Sequence, residues 1–302
     1  MINSFNCPRH LADRTSWLVM VLLLTLSLKC LAQSEEGLFA VFSTNQGKFT
    51  CRLHFKRAPR TVANFVSLAE GIRTWVDFQK PALSNDRYYD QTTFHRVIKD
   101  FVIQGGSPNG QGNDGPGYTF SDEFHPELKH DRAGILSMAK SSLPHSNGSQ
   151  FFITLAATPW LDNVHSVFGE VTDGSDIVTA IGNTATEPSK NHHPIEPQLI
   201  HSVSILQVGA EAAAFDPLTI DPPLPTIKAS PSIIIRTDSG LDIAWPAKEN
   251  HIYYVFFSAN LSEWTLQPLA PTGTVRLDDL LQNNPQQYFI FIESQRDPGI
   301  PE

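Results

Sequence analysis

Cysteine is scarce: the chain has 3 in 302 residues, and two of these, Cys7 and Cys30, lie near its start. Basic residues are outnumbered, 22 Lys and Arg against 31 Asp and Glu, and they form no run. A nucleic-acid partner needs a concentrated basic face, so none is expected here. An apolar stretch long enough to span a bilayer comfortably is also missing. The longest run, residues 17–28, is too short for that and has the length of a signal-peptide core. Arg9 and Arg14 precede it, and Cys30-Leu31-Ala32 puts small residues where a signal peptidase reads.

Residues 1–32 are therefore expected to be a signal peptide cleaved after Ala32, giving an exported protein, periplasmic or extracellular. A lipoprotein signal acylated at Cys30 is the competing reading, with Lys29 a poor fit, and a retained anchor is a third. A membrane is a partner only in those two cases. Cleavage would leave Cys51 alone, so no internal disulfide is expected. Cys51 lies in the alternating stretch Lys48-Phe49-Thr50-Cys51-Arg52-Leu53, which favours a small buried core residue over a reactive thiol.

From residue 37 to 55 apolar and polar residues alternate, broken by Thr44-Asn45-Gln46-Gly47, which predicts a β-hairpin. Pro59 then opens a helical pattern with Val62, Phe65, Val66 and Ala69 on one face and Gly71 as its left-handed cap. Residues 72–91 lack periodicity and read as a surface insertion. Strand-like runs follow at 93–97, 101–104, 134–139, 151–155, 167–171 and 201–208, with a short helix around Ile177, Val178 and Ile181. Many short strands with few helices predict a closed antiparallel barrel. At Asp216 the composition changes. Pro217, Pro222, Pro223, Pro225 and Pro231 make residues 216–231 read as an extended linker rather than a packed element. Alternating runs at 232–236, 241–245, 252–258, 274–277 and 288–292 then predict a second, small all-β domain over 232–302, leaving 33–215 as the first domain.

Residues 93–169 are the distinctive stretch. It holds Phe94-His95-Arg96-Val97-Ile98, Phe101-Val102-Ile103-Gln104-Gly105-Gly106 and Gly115-Pro116-Gly117-Tyr118. Gly134-Ile135-Leu136-Ser137-Met138-Ala139, Asn147-Gly148-Ser149-Gln150-Phe151-Phe152-Ile153, Trp160-Leu161-Asp162 and His165-Ser166-Val167-Phe168-Gly169 follow. In order and spacing this series resembles the cyclophilin family of peptidyl-prolyl cis/trans isomerases, over about residues 37–208. The resemblance implies a mainly β fold, an eight-stranded antiparallel barrel capped by two helices. It also implies an enzyme that acts on proline-containing peptides and unfolded proteins and assists the folding of exported chains. A proline-peptide binding module with little turnover is the alternative.

Twisting an amide meets a barrier of about 18–20 kcal/mol from resonance, and no bond breaks. Neither nucleophile, metal nor cofactor is needed. A fixed cation that donates toward the pyramidalised nitrogen stabilises the twisted state over the planar one. Arg96 matches the arginine that does this in the family. Phe101, Val102, Phe152 and Leu161 match the wall of the proline slot, with His165 at its rim. Taken singly, each such aromatic is more often core than pocket. Gln104 and Gln150 would hydrogen-bond the substrate backbone and orient Arg96, and Ala139 and Lys140 fall on the strand that holds the peptide. Trp160 matches the tryptophan associated with cyclosporin, so inhibition by that cyclic peptide is expected.

Three departures stand out. Val102 replaces the usual methionine and makes a shorter, stiffer wall. Lys140 replaces the usual asparagine, either drawing acidic residues toward the groove or pointing to solvent. The loop 141–146 is about one residue longer than in compact members. Weaker signals have bland readings. His192, His193 and His201 lack zinc-site spacing and read as loop histidines. The patterns starting at Asn147 and Asn260 fit N-glycosylation, though the first is part of the isomerase motif. Trp245, Tyr253, Tyr254 and Trp264 in the C-terminal part read as core, with a carbohydrate- or protein-binding face as the alternative.

Overall fold

Apolar–polar alternation makes a strand that must bury one face and find partners for its backbone. In the computed structural model, β1 (Gly37–Thr44) does so between β2 (Gly47–Leu53) and the much later β13 (Leu199–Val208). The structure describes residues 36–229, 233–237, 240–245, 248, 251–258, 265–267, 274–276 and 288–299. Residues 1–32, Trp264 and the Asn260 pattern lie outside these residues. The break at 44–47 is the expected tight turn, with Thr44 Oγ1 donating to Gly47 O at 2.7 Å.

Helix α1 (Pro59–Glu70) follows, with proline in its first turn, where a missing N–H costs nothing. It ends at Gly71, whose φ of 69° is left-handed and where a Cβ would sit 2.4 Å from Asn85 O. Val62, Phe65, Val66 and Ala69 are buried as expected, but Arg60, Asn64 and Ser67 on the other side are buried too. The helix has a second neighbour, described below.

Next come the hairpin β3 (Trp75–Asp77) and β4 (Ala82–Ser84), then β5 (Thr92–Thr93), β6 (Arg96–Ile98), β7 (Val102–Gly105), β8 (Ile135–Met138), β9 (Phe151–Thr154) and β10 (Val167–Asp173). Helix α2 (Ser175–Gly182), the short pair β11 (Thr186–Glu187) and β12 (His193–Pro194), and a turn of helix after β13, α3 (Ala210–Ala213), complete this part. The segment 72–91 is not a mere surface insertion, because Trp75, Tyr88 and Tyr89 are buried in the core.

Nine strands form one antiparallel sheet in the order β5-β13-β1-β2-β10-β8-β9-β7-β6. The expected strand at 93–97 is split by Phe94-His95 into β5 and β6, which accounts for nine strands where eight were expected. Those two pieces are neighbours in sequence yet occupy opposite edges of the sheet. The sheet must therefore curl until its edges approach, and a bridge from Thr93 to Ser107 lies at that seam. Inside are Phe42, Phe49, Phe65, Tyr89, Phe94, Phe151 and Phe168, all fully buried, with Phe42 stacked on Phe49 at 4.6 Å. Cys51 is buried among them, and burial, with a smaller contribution from Glu170, pushes its thiol pKa far up, so it is inert packing.

The C-terminal part contains β14 (Ile227–Ala229), β15 (Ile233–Thr237), β16 (Gly240–Ala244), β17 (His251–Ser258), β18 (Thr265–Gln267), β19 (Thr274–Arg276) and β20 (Tyr288–Gln295). They make a four-stranded sheet, β14-β20-β17-β18, and a three-stranded one, β15-β16-β19. The proline-rich stretch before them is packed, contrary to its composition: Leu224 joins the barrel core, and Arg73 donates to Pro225 O. Arg60 on α1 forms a buried ion pair with Asp297, which also accepts from the Ser121 N–H. Burial alone would raise the Asp297 pKa, but these hydrogen bonds and the guanidinium hold it below the usual carboxylate range. This pairing covers Arg60, while Asn64 is covered by the barrel's own loops, its Nδ2 donating to Gly148 O at 2.8 Å and its Oδ1 accepting from Tyr118 at 2.6 Å.

Candidate active site

Directly opposed residues on paired strands share a face, and alternate residues along a strand switch faces. The pairs Arg96–Gln104, Ile98–Val102, Gln104–Phe152 and Ser137–Phe152 thus place Arg96, Val102, Gln104, Phe152 and Ser137 on one face. The alternate residues Val97, Ile103, Ile153 and Leu136 are buried on the core face. Strand register alone assembles the centre of the site.

On that face runs a hydrogen-bond relay. Arg96 Nη1 donates to Gln104 Oε1 at 3.2 Å, Gln104 Nε2 to Gln150 Oε1 at 3.0 Å, and Gln150 Nε2 to the Asp114 carbonyl at 2.9 Å. A guanidinium can only donate, so it fixes which way both amides point. Asp114 is itself held by Ser107 Oγ and the Asn109 N–H. Arg96 is half-buried, and burial lowers its pKa, though a guanidinium stays charged. Among the described residues no carboxylate pairs with it. The group is a cation with donors to spare, aimed by two glutamines.

Beside the relay is an aromatic patch. Phe152 meets His165 edge-on at 5.4 Å, and Phe101 stacks on Trp160 at 6.2 Å, with Trp160 65% exposed. Leu161, half-buried, lies in the 3₁₀ turn Pro159–Leu161, and the His165 N–H donates back to Leu161 O at 3.1 Å. His165 Nδ1 is 2.9 Å from Met138 O, so that nitrogen carries the proton. Burial lowers the His165 pKa, against that hydrogen bond, and favours the neutral ring.

Behind Phe152 lies a cluster that sequence reasoning did not find. His130 stacks on Phe152 at 5.8 Å, its Nδ1 is 3.0 Å from Asp162 Oδ1, and its Nε2 is 3.0 Å from Ser137 Oγ. The arrangement has the order of a hydrolase triad. Ser137 and His130 are completely buried, however, so no ester or amide could reach the hydroxyl. The cluster instead fixes the ring that walls the slot. Ser137 and Asp162 each stand in one of the motifs quoted above, but nothing local in the sequence links them to each other or to residue 130.

A groove of about 850 Å³ adjoins the relay. Gln104, Ala139, Lys140 and Gln150 line it, whereas Arg96, Phe101, Val102, Phe152, Trp160, Leu161 and His165 do not. The expected residues thus fall into an arginine-and-aromatic half and a groove half, joined by Gln104 and Gln150. Lys140 does neither of the two things expected of it. Its Nζ turns inward to Asp122 Oδ2 at 2.8 Å, in a pair whose side chains are only 8% and 5% exposed. Burial would raise the Asp122 pKa, but Lys140, the His145 N–H and Asn147 outweigh it and hold the carboxyl down. The loop 141–146 is knit by Ser141 Oγ to Ser146 Oγ at 2.8 Å and by Ser146 Oγ to Leu143 O at 2.7 Å. His193 Nδ1 is engaged with His95 O at 3.0 Å. Among the described residues, no three His, Cys, Asp or Glu side chains are grouped to hold a metal.

Residues 39–205 match the family described as cyclophilin type peptidyl-prolyl cis-trans isomerase/CLD. Peptidyl-prolyl cis-trans isomerase B of Streptomyces anulatus is 48% identical over 172 residues, which is 56% of this chain and 97% of that one. A probable peptidyl-prolyl cis-trans isomerase A of Mycobacterium leprae is 46% identical over 168 residues, 55% of this chain and 91% of that one. A solved Cryptosporidium parvum cyclophilin type isomerase, in the presence of the dipeptide Ala-Pro, is 35% identical with a TM-score of 0.48, covering 57% of this chain and 99% of that one. With its barrel, its arginine–glutamine relay and its aromatic patch, the chain belongs to the cyclophilin-type peptidyl-prolyl cis-trans isomerases.

Proposed function

We propose that this chain speeds prolyl isomerisation through Arg96. The observation that carries the reading is a half-buried guanidinium with no carboxylate partner among the described residues, oriented by Gln104 on the face that also presents Phe152. A proline ring against Phe152, Phe101 and Val102 would put its amide nitrogen within reach of the guanidinium. As the bond twists, that nitrogen regains a lone pair, and donation to it is stronger than to the planar amide. The barrier falls without any proton or covalent bond being exchanged. Gln104 and Gln150 hold the substrate main chain, and neutral His165 closes the rim of the slot. Turnover of a Phe-Pro peptide by wild type and Arg96→Ala tests this, with a drop of roughly 100- to 1,000-fold expected.

The clients are proline-containing unfolded chains outside the cytoplasm, which the apolar run at 17–28 and the small residues at its end support. Mass measurement on protein recovered outside the cytoplasm of an expressing bacterium should give a chain starting at Gln33. A mass with residues 1–32 retained, or with a lipid on Cys30, would place it on the membrane. The 65% exposure of Trp160 supports cyclosporin binding, and activity should vanish at saturating cyclosporin.

A further inference from the structure

Large apolar side chains clustered on a surface mark contact sites. Ile252 on β17 and Leu266 on β18 are 37% and 42% exposed, and both line the groove that holds Gln104, Ala139 and Gln150. Alternation along β17 puts Ile252, Tyr254 and Phe256 on one face, and all three line the groove. Leu266 is paired with Phe256 across the strands and shares that face.

This wall is fixed to the barrel. Tyr254 donates to Gly117 O at 2.9 Å, and Phe78 of the β3–β4 connection meets Tyr254 and Phe256 at 5.5 and 5.9 Å. Phe256 packs with Val76 and Ile292 in a small core of its own. At this contact Gly117 has φ +87°, and a Cβ there would meet Val76 at 2.4 Å. The far side of the groove carries two charged side chains, and both are engaged: the Lys140 ammonium with Asp122, and the Asp114 carboxylate with Ser107 Oγ and the Asn109 N–H. The rest of the lining is apolar on the C-terminal side and mainly amide, hydroxyl, glycine or alanine on the barrel side.

We propose that the C-terminal sheet is the outer wall of the substrate groove and selects clients carrying a large apolar side chain close to the proline. The inference rests on the isomerase reading. The occupant follows from continuity: Gln104 and Gln150 belong to both the Arg96 relay and the groove, so a polypeptide crossing Arg96 passes into the groove. Its side chain there would cover Ile252 and Leu266. The substrate class is then an unfolded segment with a Leu, Phe or Met near its proline, the composition of a chain before its core has formed.

The test is a set of proline peptides in which a single Phe replaces Ser at each of the neighbouring positions in turn. The readout is the ratio of kcat/KM for the Phe and Ser peptides, measured in wild type and in an Ile252→Ser/Leu266→Ser variant. Both residues are exposed, so the variant should fold. At one position the ratio should be about tenfold in wild type and close to one in the variant. A ratio near one at every position, or a preference that the variant keeps, overturns the proposal while leaving the isomerase reading standing. Absence of turnover with every peptide overturns the isomerase reading itself, and this proposal with it.

Discussion

The barrel and the C-terminal sheets are built from the same material, short strands of alternating residues, yet they hold together differently. The barrel closes on an aromatic interior of its own, with Phe65, Tyr89 and Phe151 in mutual contact. The C-terminal part leans on the barrel through a few specific contacts: Arg60 with Asp297, Tyr254 with Gly117, and Phe78 with Phe256. A self-contained core can carry a fixed catalytic geometry, while an attached wall can change what reaches it. In the two proposals made above, the first region supplies the chemistry and the second its selection.

The strongest way to break this contrast is at the joint. Arg60→Met would leave Asp297 buried without its cation, and losing one partner of a buried pair costs about 3–5 kcal/mol. Chemical denaturation should show that loss. A loss below about 1 kcal/mol would mean the two regions are not coupled there.

A smaller effect belongs to the barrel alone. Burial, reinforced by nearby His193 and Arg96, pushes the His95 pKa down to about 4 from an ordinary 6.5. Between those values the unfolded chain binds the proton and the folded chain does not, so stability falls as pH drops from 6.5 through 4. At about 1.36 kcal/mol per pKa unit the loss is about 3 kcal/mol. His95→Asn should lose less stability over that window by up to this amount, and an identical pH profile would contradict it. The smallest effect is that of Tyr254→Phe, which leaves Gly117 O without its donor and should cost about 1 kcal/mol. It should also weaken the preference for apolar clients more than turnover of the shortest proline peptides.

The contrast also marks how far the sequence could be read. The hairpin at 44–47, the Gly71 cap and the strands bearing Arg96, Gln104 and Phe152 follow from local patterns, and the strand register then places the site residues. Cys51 was legible for the same reason, since alternation puts it inward. Contacts between distant residues were not. Arg60 and Asp297 are 237 positions apart, and no local pattern records that a helix will be covered on both sides. Proline in 216–231 predicts an extended chain but says nothing of where Leu224 lands. Lys140 was misread because its partner, Asp122, is supplied by another loop. The His130–Ser137–Asp162 cluster was missed because its members become neighbours only through the sheet.

The central claim is that a free, oriented guanidinium in the barrel lowers the prolyl barrier. Its most direct test is kcat/KM on a Phe-Pro peptide for wild type, Arg96→Lys and Arg96→Ala, with peptide affinity measured alongside. The account predicts that alanine loses roughly 100- to 1,000-fold, mostly in kcat, and that lysine recovers part of it because it keeps the charge without the fork. An alanine variant that turns over at the wild-type rate would contradict it.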